Sequence, residues 1–166
     1  MRGGDNMPER NNPEKDIESM VYNYADMLFR ICFVILQNET DAQDAVQETF
    51  LKYMQKAPIF KNSEHEKAWL IKVATNTSRN MLRIRSRYTY TEVESFNCFA
   101  SNEEAADVFE ILAELPPKYS VIITLYYIDG YKVNEIAEFI GKTPSAVKMR
   151  LQKGRKLIEK IYREER

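Results

Sequence analysis

Residues 131–161 constrain the fold more than any other stretch, because they predict two helices joined by a short turn. Apolar side chains from Val133 to Ile140 recur at a helical spacing and form one face of the first helix. Gly141 supplies the left-handed backbone position that commonly ends a helix. Thr143 is suited to the N-cap of a second helix, and Pro144 is suited to its first position.

The second helix has an apolar side formed by Val147, Leu151 and Ile158, with Gly154 allowing close packing. Its opposite side is polar and mostly basic, and comprises Ser145, Lys148, Met149, Gln152, Lys153 and Lys156, flanked by Arg150 and Arg155. This arrangement is typical of a helix-turn-helix whose second helix reads DNA. An ordinary helical hairpin with a solvated basic face is the alternative. The helix cap, the turn and the basic side all agree with a helix-turn-helix that binds DNA, so this interpretation is favoured over the ordinary hairpin.

The remaining chain also predicts helices, because apolar positions recur at helical spacing and sustained alternation is absent. We therefore expect an all-α protein. The net charge is only −1, but it is unevenly distributed. Lys and Arg counted against Asp and Glu give −4 for residues 1–60, +5 for 61–90, −7 for 91–130 and +5 for 131–166. Two basic blocks separated by an acidic one predict two surfaces that contact a polyanion.

A predicted helix that starts near Asp41 carries an acidic ridge on its outer face. Asp41, Asp44 and Glu48 lie at positions i, i+3 and i+7, with Gln47 and Leu51 beside them. The carboxylate of Asp41 lies near the helix N-terminus, where it interacts favourably with the helix dipole, so part of the acidic character of the ridge has a purely structural explanation. A docking face for a basic partner helix explains the ridge equally well, and the residues alone leave both interpretations open.

A third helix opens near Ser63, which together with Glu66 predicts a capping box. Its outer face is rich in cations and amides, namely Lys72, Asn76, Arg79, Asn80 and Arg83, and continues to Arg85 and Arg87. Trp69 stands at the start of this face, and Phe60 lies in the preceding loop. Cations follow phosphates, and flat rings or amides meet splayed bases, so the face favours single-stranded nucleic acid. For Trp69 alone, a place in the core is the favoured interpretation.

No catalytic, cofactor or metal site is predicted. His65, the only histidine, lies at a loop-to-helix junction and is expected to be a surface residue. Cys32 and Cys98 lack the spacing of a metal site or a disulfide framework, which favours a reducing cytosol. The longest apolar run, residues 27–36, contains Arg30 and is expected to be too short to cross a bilayer. These features predict a soluble intracellular protein.

The predicted helices group into two small helical domains joined by a flexible linker. Residues 1–13 are polar and are predicted to be disordered. Residues 14–87 form the first domain, and residues 88–103, rich in Thr, Ser and Asn, form the linker. Residues 104–166 form the second domain, which contains four helices.

Three motifs in this order resemble those of the extracytoplasmic-function sigma factors, the smallest class of the bacterial sigma-70 family. Residues 41–56, DAQDAVQETFLKYMQK, resemble the family's core-polymerase segment. Residues 67–87, KAWLIKVATNTSRNMLRIRSR, resemble its tryptophan-containing melting helix, and residues 115–158 resemble its C-terminal helix-turn-helix. The resemblance covers residues 14–162 and implies that the two domains are sigma regions 2 and 4.

The resemblance implies a role for each face. The ridge would dock on the clamp helices of the largest subunit of core RNA polymerase through Asp44, Gln47, Glu48 and Leu51. The first domain would hold the melted −10 element of promoter DNA through Phe60, Trp69, Lys72, Asn76, Arg79, Asn80 and Arg83, with Asn76 beside a flipped base. The second domain would bind the −35 element, with Lys148, Met149, Gln152 and Lys153 in the major groove and Thr143, Ser145, Arg155 and Lys156 on phosphates.

The same resemblance implies an alternative sigma factor that directs promoter-specific initiation. It implies no enzymatic activity, no cofactor and no small-molecule substrate. An anti-sigma factor would hold the protein inactive, in the cytoplasm or at the membrane, without insertion of this chain into the bilayer. Two rival classes are a sigma-like decoy that binds an anti-sigma factor and never DNA, and a stand-alone helix-turn-helix regulator that acts as a dimer. The two basic blocks count against the first, and the acidic ridge counts against the second.

Overall fold

The computed structural model describes residues 13–87 and 103–164, and every regular element in these ranges is helical. The predicted all-α fold is therefore confirmed. The first range contains three helices, α1 (Pro13–Leu36), α2 (Glu39–Lys56) and α3 (Ser63–Arg87). The second range contains α4 (Glu103–Glu114), α5 (Pro117–Ile123), a π-helical segment (Thr124–Ile128), α6 (Val133–Ile140) and α7 (Pro144–Glu164).

α1 is the central helix of the first domain and contacts both α2 and α3. Leu28, Ile31 and Ile35 are fully buried at intervals of three and four residues, which is the spacing of a core-facing helix. α1 ends before Gln37, whose φ of 55° turns the chain. The side chain of Asn38 then caps α2 by accepting a hydrogen bond of 2.7 Å from the backbone N–H of Asp41.

The apolar stretch of α1 is longer than the run of residues 27–36 suggested. Ile17–Leu36 is long and apolar enough to cross a membrane by length and composition, which corrects the expectation drawn from the shorter run. Half of its most apolar window is buried inside the fold, where α1 contacts α2 and α3. Core packing accounts for this apolarity, because the central helix of a small bundle is apolar on several sides.

α5 and the π-helical segment form the centre of the second domain, where α5 packs on α7. Pro117 begins α5, where its missing N–H leaves no hydrogen bond unmade, and Ile122 and Leu125 are buried. The sequence did not predict the π-helical turn, in which the N–H of Asp129 donates to the carbonyl of Thr124 at 3.0 Å. The extra residue in this turn sets where Asp129 lies at the end of the segment.

Helical spacing of apolar residues predicts core-facing positions for Val21, Ile84 and Val108, but all three side chains are substantially exposed. Val21 and Ile84 lie toward the ends of their helices, where a strictly spaced apolar stripe drifts around the helix and leaves the core. In α4 the interior position belongs to Phe109, which is 4% exposed, while Val108 is 46% exposed. Val108 lines an apolar groove of about 300 Å³ on the surface of the second domain.

The predicted disordered segment 1–13 and the predicted linker 88–103 lie outside the described residues, apart from Pro13 and Glu103, which begin α1 and α4. The two described parts contact each other. α1 packs against α4 and α5, and α3 packs against α6. These contacts place α3 next to the helix-turn-helix.

Candidate functional site

The helix-turn-helix has the geometry that its sequence predicts. α6 ends at Gly141, which adopts a left-handed conformation with φ 63° and ψ 41°. Thr143 caps α7, because its Oγ1 accepts a hydrogen bond of 3.2 Å from the backbone N–H of Ala146. Val147 and Leu151 are buried. α7 therefore packs against the rest of the domain through one side, and its opposite side is available to a ligand.

The resemblance to sigma factors assigned to DNA seven residues on the outer side of α7 and the N-cap residue Thr143. All eight are exposed: Thr143, Ser145, Lys148, Met149, Gln152, Lys153, Arg155 and Lys156. Arg155 donates a hydrogen bond of 2.9 Å to the hydroxyl of Tyr127, so the π-helical segment positions its guanidinium. Four cations on one exposed arc form a surface that suits an anionic partner.

The basic face of α3 is exposed along its length and comprises Lys72, Asn76, Arg79, Asn80 and Arg83. Arg83 donates a hydrogen bond of 2.8 Å to Oδ1 of Asn80, which orients the two side chains together. Arg85, which helical spacing added to this face, instead pairs with Asp41 at 2.7 Å and donates to the carbonyl of Leu36 at 2.7 Å. Arg85 and Asp41 join α3 to α2, so neither the basic face nor the acidic ridge includes them.

Phe60 and Trp69 lie together in an aromatic cluster at the start of the basic face. Their ring centroids are 5.9 Å apart, and Tyr53 lies 5.9 Å from Phe60 and 6.0 Å from Trp69. His65 is exposed, as expected for a surface residue, and contacts Phe60 edge-on at 5.4 Å. Phe60 and Trp69 are both half-buried. Trp69 packs against the core with part of its ring, in line with the expected core position, and the exposed part of the cluster presents ring surface on which a base can stack.

Glu66 holds this cluster in place. Its carboxylate accepts hydrogen bonds from the hydroxyls of Tyr24 in α1, at 3.3 Å, and Tyr53 in α2. Burial, reinforced by the Glu66 carboxylate, raises the pKa of Tyr24 to about 12. The predicted capping box of Ser63 and Glu66 is therefore wrong, since the glutamate ties three helices together and Asn62 caps α3 instead.

The acidic ridge lies on the outer side of α2, and its four residues are exposed: Asp44, Gln47, Glu48 and Leu51. Lys52 connects the ridge to α3, because its Nζ lies 3.4 Å from Glu48 Oε1 and 3.0 Å from the hydroxyl of Thr77. These two contacts of Lys52, together with the burial of Thr77, fix the position of α2 relative to α3 at this point.

A groove between α2 and α3 joins the acidic ridge to the basic face. It has a volume of about 750 Å³ and is lined by Asp44 and Glu48 from α2 and by Asn76 and Asn80 from α3. The acidic ridge and the basic face are therefore adjacent on one pair of packed helices. The sequence indicated the two surfaces separately and did not predict this adjacency.

A second groove, of about 740 Å³, separates α3 from the second domain. Trp69, Lys72, Asn76 and Arg79 line its first wall. The opposite wall comes from α5, α6, the turn and α7, and its cations are Lys118, Lys142 and Arg150. The basic face of α3 is thus turned toward the helix-turn-helix domain, which no spacing in the sequence indicated.

Two family models match the chain. The model of sigma-70 region 2 matches residues 20–88, and the model of sigma-70 region 4 matches residues 105–158. The chain belongs to the sigma-70 family of RNA polymerase sigma factors. Its matches to extracytoplasmic-function factors place it in that group, so the predicted function as an alternative sigma factor is confirmed. The family consists of transcription initiation factors that bind core RNA polymerase and promoter DNA.

Curated relatives match most of the length of the chain. The RNA polymerase sigma factor SigV of Bacillus subtilis (strain 168) is 28% identical over 156 residues, which cover 92% of this chain and 94% of the relative. The ECF RNA polymerase sigma factor SigW of the same organism is 25% identical over 160 residues, which cover 85% of this chain and 86% of the relative.

Two solved structures share the fold. CnrH, in complex with the cytosolic domain of CnrY, superimposes with a TM-score of 0.72 at 22% identity, over 94% of this chain and 92% of CnrH. The sigma factor RpoE from Bartonella quintana, in complex with the anti-sigma factor NepR, gives a TM-score of 0.70 at 19% identity, over 92% of this chain and 99% of RpoE.

Proposed function

We propose that this sigma factor docks on core RNA polymerase through the acidic ridge of α2 and reads promoter DNA with α3 and α7. The observation that carries this proposal is the groove shared by α2 and α3, which Asp44 and Glu48 line together with Asn76 and Asn80. A polymerase subunit docked on the ridge delivers the opened −10 strand directly to the adjacent basic face.

The ridge suits a basic partner that also buries apolar surface. Asp44, Gln47 and Glu48 supply exposed charge and hydrogen-bonding groups, and Leu51, 45% exposed, supplies an apolar contact beside them. Interfaces of this kind gain specificity from charge complementarity and affinity from the apolar centre. We assign this face to the clamp helices of the largest polymerase subunit.

The basic face of α3 and its aromatic cluster suit the melted −10 element. Lys72, Arg79 and Arg83 follow the phosphates, while Asn76 and Asn80 offer amide edges to the bases. Phe60 and Trp69 supply ring surface at the start of the face. Unstacking a base costs a few kcal/mol, and stacking on an aromatic ring returns about 1–3 kcal/mol per base, so capture of single bases is feasible.

The outer side of α7 suits the −35 element. Lys148, Met149, Gln152 and Lys153 point away from the domain core and would enter the major groove. The residues at its edges would hold phosphates, namely Thr143, Ser145, Arg155 and Lys156. Lysine donates to guanine but lacks the forked geometry of arginine, so each lysine contact should discriminate less between bases than a bidentate arginine contact does.

The proposal extends to regulation. RpoE, which shares the fold, is described in complex with an anti-sigma factor. We propose that an anti-sigma factor also holds this chain inactive in the cytoplasm, or at the membrane where that factor is anchored. In this proposal residues 14–87 form region 2, residues 88–103 link the regions, and residues 104–166 form region 4.

Run-off transcription with core RNA polymerase and a genomic promoter library tests the function as a whole. The expected result is a discrete set of new start sites that share two upstream elements. Tight binding to core polymerase without any new start would instead support a decoy, and failure to bind core polymerase would contradict the proposal.

The ridge is tested by charge reversal with a matched control. Glu48→Lys should weaken binding to core polymerase at least about tenfold, because it places a cation where the partner is basic. Glu110→Lys makes the same change at an exposed position of α4 outside the proposed surfaces and should leave binding unchanged. Equal effects of the two substitutions would refute the assignment of the ridge.

The outer side of α7 is tested by salt dependence. Lys156→Gln should weaken binding to −35 duplexes and reduce the slope of log affinity against log salt by about one, because the proposal places this lysine on a phosphate. An unchanged slope with altered sequence preference would instead place Lys156 on a base. Lys160→Gln, on the same helix beyond the proposed contacts, is the control and should change neither quantity.

A further inference from the structure

The loop between α2 and α3 exposes one apolar side chain almost completely. Ile59 is 98% exposed, more than any other large apolar residue that the structure describes. Isolated exposed apolar side chains are common on protein surfaces and need no function to explain them. The construction and the surroundings of this loop distinguish Ile59 from such residues.

The first half of the loop has a fixed backbone. α2 ends at Lys56, because Pro58 has no backbone N–H and restricts the residue before it to an extended conformation. That residue, Ala57, has φ −60° and ψ 131°, and its N–H donates to the carbonyl of Tyr53 at 3.1 Å. The chain therefore leaves α2 in one defined direction as it approaches Ile59.

The second half of the loop is anchored by rings and by a hydrogen bond. The ring of Phe60 stacks on Tyr53, with 5.9 Å between centroids and 16° between planes. It also meets Trp69 and His65 edge-on, at 5.9 and 5.4 Å. The N–H of Lys61 donates to Nδ1 of His65 at 3.3 Å. Because both halves are held, the apolar side chain between them stays in water instead of packing against the aromatic cluster.

Two exposed cations flank this apolar side chain. Lys56 is the last residue of α2 and Lys61 follows Phe60, and both lysine side chains are exposed. An apolar group between two cations suits a partner that presents anions around an apolar interior. DNA has this arrangement, because its phosphates surround a stack of bases.

The loop lies at one end of the basic face of α3. His65 and Trp69, which both contact Phe60, line the same groove as the basic residues of α3. A strand whose phosphates follow those cations therefore reaches the aromatic cluster at this end. Ile59 directly precedes Phe60 in the chain, so it lies where a strand held on the basic face meets DNA that is still paired.

We propose that Ile59 is a wedge, which inserts between two stacked bases at the boundary between duplex DNA and the strand held on α3. Lys56 and Lys61 hold phosphates on either side of it. Apolar side chains that enter a base step partly unstack it and kink the duplex. Phe60 and Trp69 receive bases that have already left the stack, whereas Ile59 acts while the bases are paired. This inference rests on the proposed function of α3, to which it adds a residue that starts strand opening.

A wedge should matter for duplex DNA and lose its importance once the strands are separated. The test therefore uses one promoter from the run-off library in two forms, fully paired and with a mismatched, permanently open −10 element. Holoenzyme assembled from core polymerase and the full chain is mixed with each form, and the fluorescence of 2-aminopurine in the −10 element reports unstacking. Ile59→Ala should slow the opening of the paired form roughly tenfold, because the remaining methyl group offsets less of the cost of unstacking. Binding to the open form should equal that of the wild type.

Two further variants separate apolar character from side-chain size. Ile59→Leu should open the paired form within about twofold of the wild-type rate, because it keeps the apolar volume. Ile59→Gln has a polar side chain of similar length and should be as slow as Ile59→Ala. Tyr22→Ala removes a side chain that is 89% exposed in α1, outside the surfaces assigned above, and should change neither form. Circular dichroism should show the same unfolding transition for every Ile59 variant, since the residue contributes little packing.

Equal losses on the paired and open forms would overturn the proposal and make Ile59 a contact of the single strand. Unchanged opening by Ile59→Ala would overturn it too. Weaker binding of Ile59→Ala to core polymerase in the absence of DNA would instead place the residue at a protein interface. A wild-type holoenzyme that opens no promoter would refute the proposed function and the wedge together, whereas an active wild type with an unaffected variant would refute the wedge alone.

Discussion

Gly154 allows α7 to approach α5 more closely than any other residue would. A Cβ placed at this position would lie 2.5 Å from Cδ1 and 3.2 Å from Cγ1 of Ile123, whose side chain is 4% exposed. In an exposed helix, replacing Gly by Ala stabilises by about 1 kcal/mol. Here Ile123 must move by several tenths of an ångström inside a packed core, and overpacking of this kind costs about 1–3 kcal/mol.

Gly154→Ala is therefore expected to destabilise the second domain by about 0–2 kcal/mol, opposite in sign to the effect at an exposed helical glycine. Ile123→Val alone should cost about 0.5–1.5 kcal/mol, because it removes one buried methyl group. That methyl group is the atom that clashes. In the double variant the clash disappears and the helix-forming advantage of alanine remains, so the total cost should be close to zero.

The assay is a double-mutant cycle on the free energy of unfolding in urea. Far-ultraviolet circular dichroism follows the helices of both domains, while Trp69 fluorescence follows the first domain alone, so a difference between the two transitions reports on the second domain. The expected coupling between the two substitutions is about 1–3 kcal/mol in the favourable direction. Additive effects, within about 0.5 kcal/mol, would show that the close approach at Gly154 does not determine the packing of α7.

Side chains of the first domain give three further expected outcomes. Arg85→Ala should lower the unfolding free energy by about 1–2 kcal/mol through loss of its bond to Asp41, and an unchanged urea midpoint would contradict that pairing. The pKa of Tyr24 is raised to about 12, so the contribution of this residue to stability is complete below pH 10.0 and is lost as the pH rises toward 12. The Tyr24→Phe variant should therefore lose less stability over this pH range, as measured by thermal unfolding at alkaline pH. Burial raises the pKa of Cys32 to about 11, so in a Cys98→Ser variant the thiol should react with a disulfide reagent at about pH 8 only after unfolding.

Features set by neighbouring residues could be predicted from the sequence. Gly141 ends α6 and Thr143 caps α7, because both effects depend on local backbone geometry and on hydrogen bonds across three residues. The close packing at Gly154 was also predictable, since a glycine on the apolar side of an amphipathic helix removes the one group that would keep a neighbouring helix away. The faces of α2, α3 and α7 followed from helical periodicity alone.

Features set by distant residues could not be predicted. Arg85 and Asp41 each sit on a face that periodicity predicts to be free, and their pairing depends on how α2 crosses α3. Arg30 and Asp129 are 99 residues apart in the chain, so no spacing rule connects them. The same holds for Glu66, whose carboxylate serves two tyrosines on other helices rather than its own helix N-terminus.

The π-helical segment connects the contact between Arg30 and Asp129 to α7. Tyr127, within the segment, accepts a hydrogen bond from Arg155 of α7, and Asp129, directly after it, pairs with Arg30 of α1. Each residue rotates an α-helix by about 100°, so removing the extra residue of this turn would swing Asp129 away from Arg30 by about that angle. The turn therefore places the contact with α1 and the contact with Arg155 on one short segment, so the two contacts depend on the same backbone geometry. Because π-helical turns are rare and are found mostly at functional sites, the unusual backbone of this short segment is better explained by these two contacts than by local sequence preference.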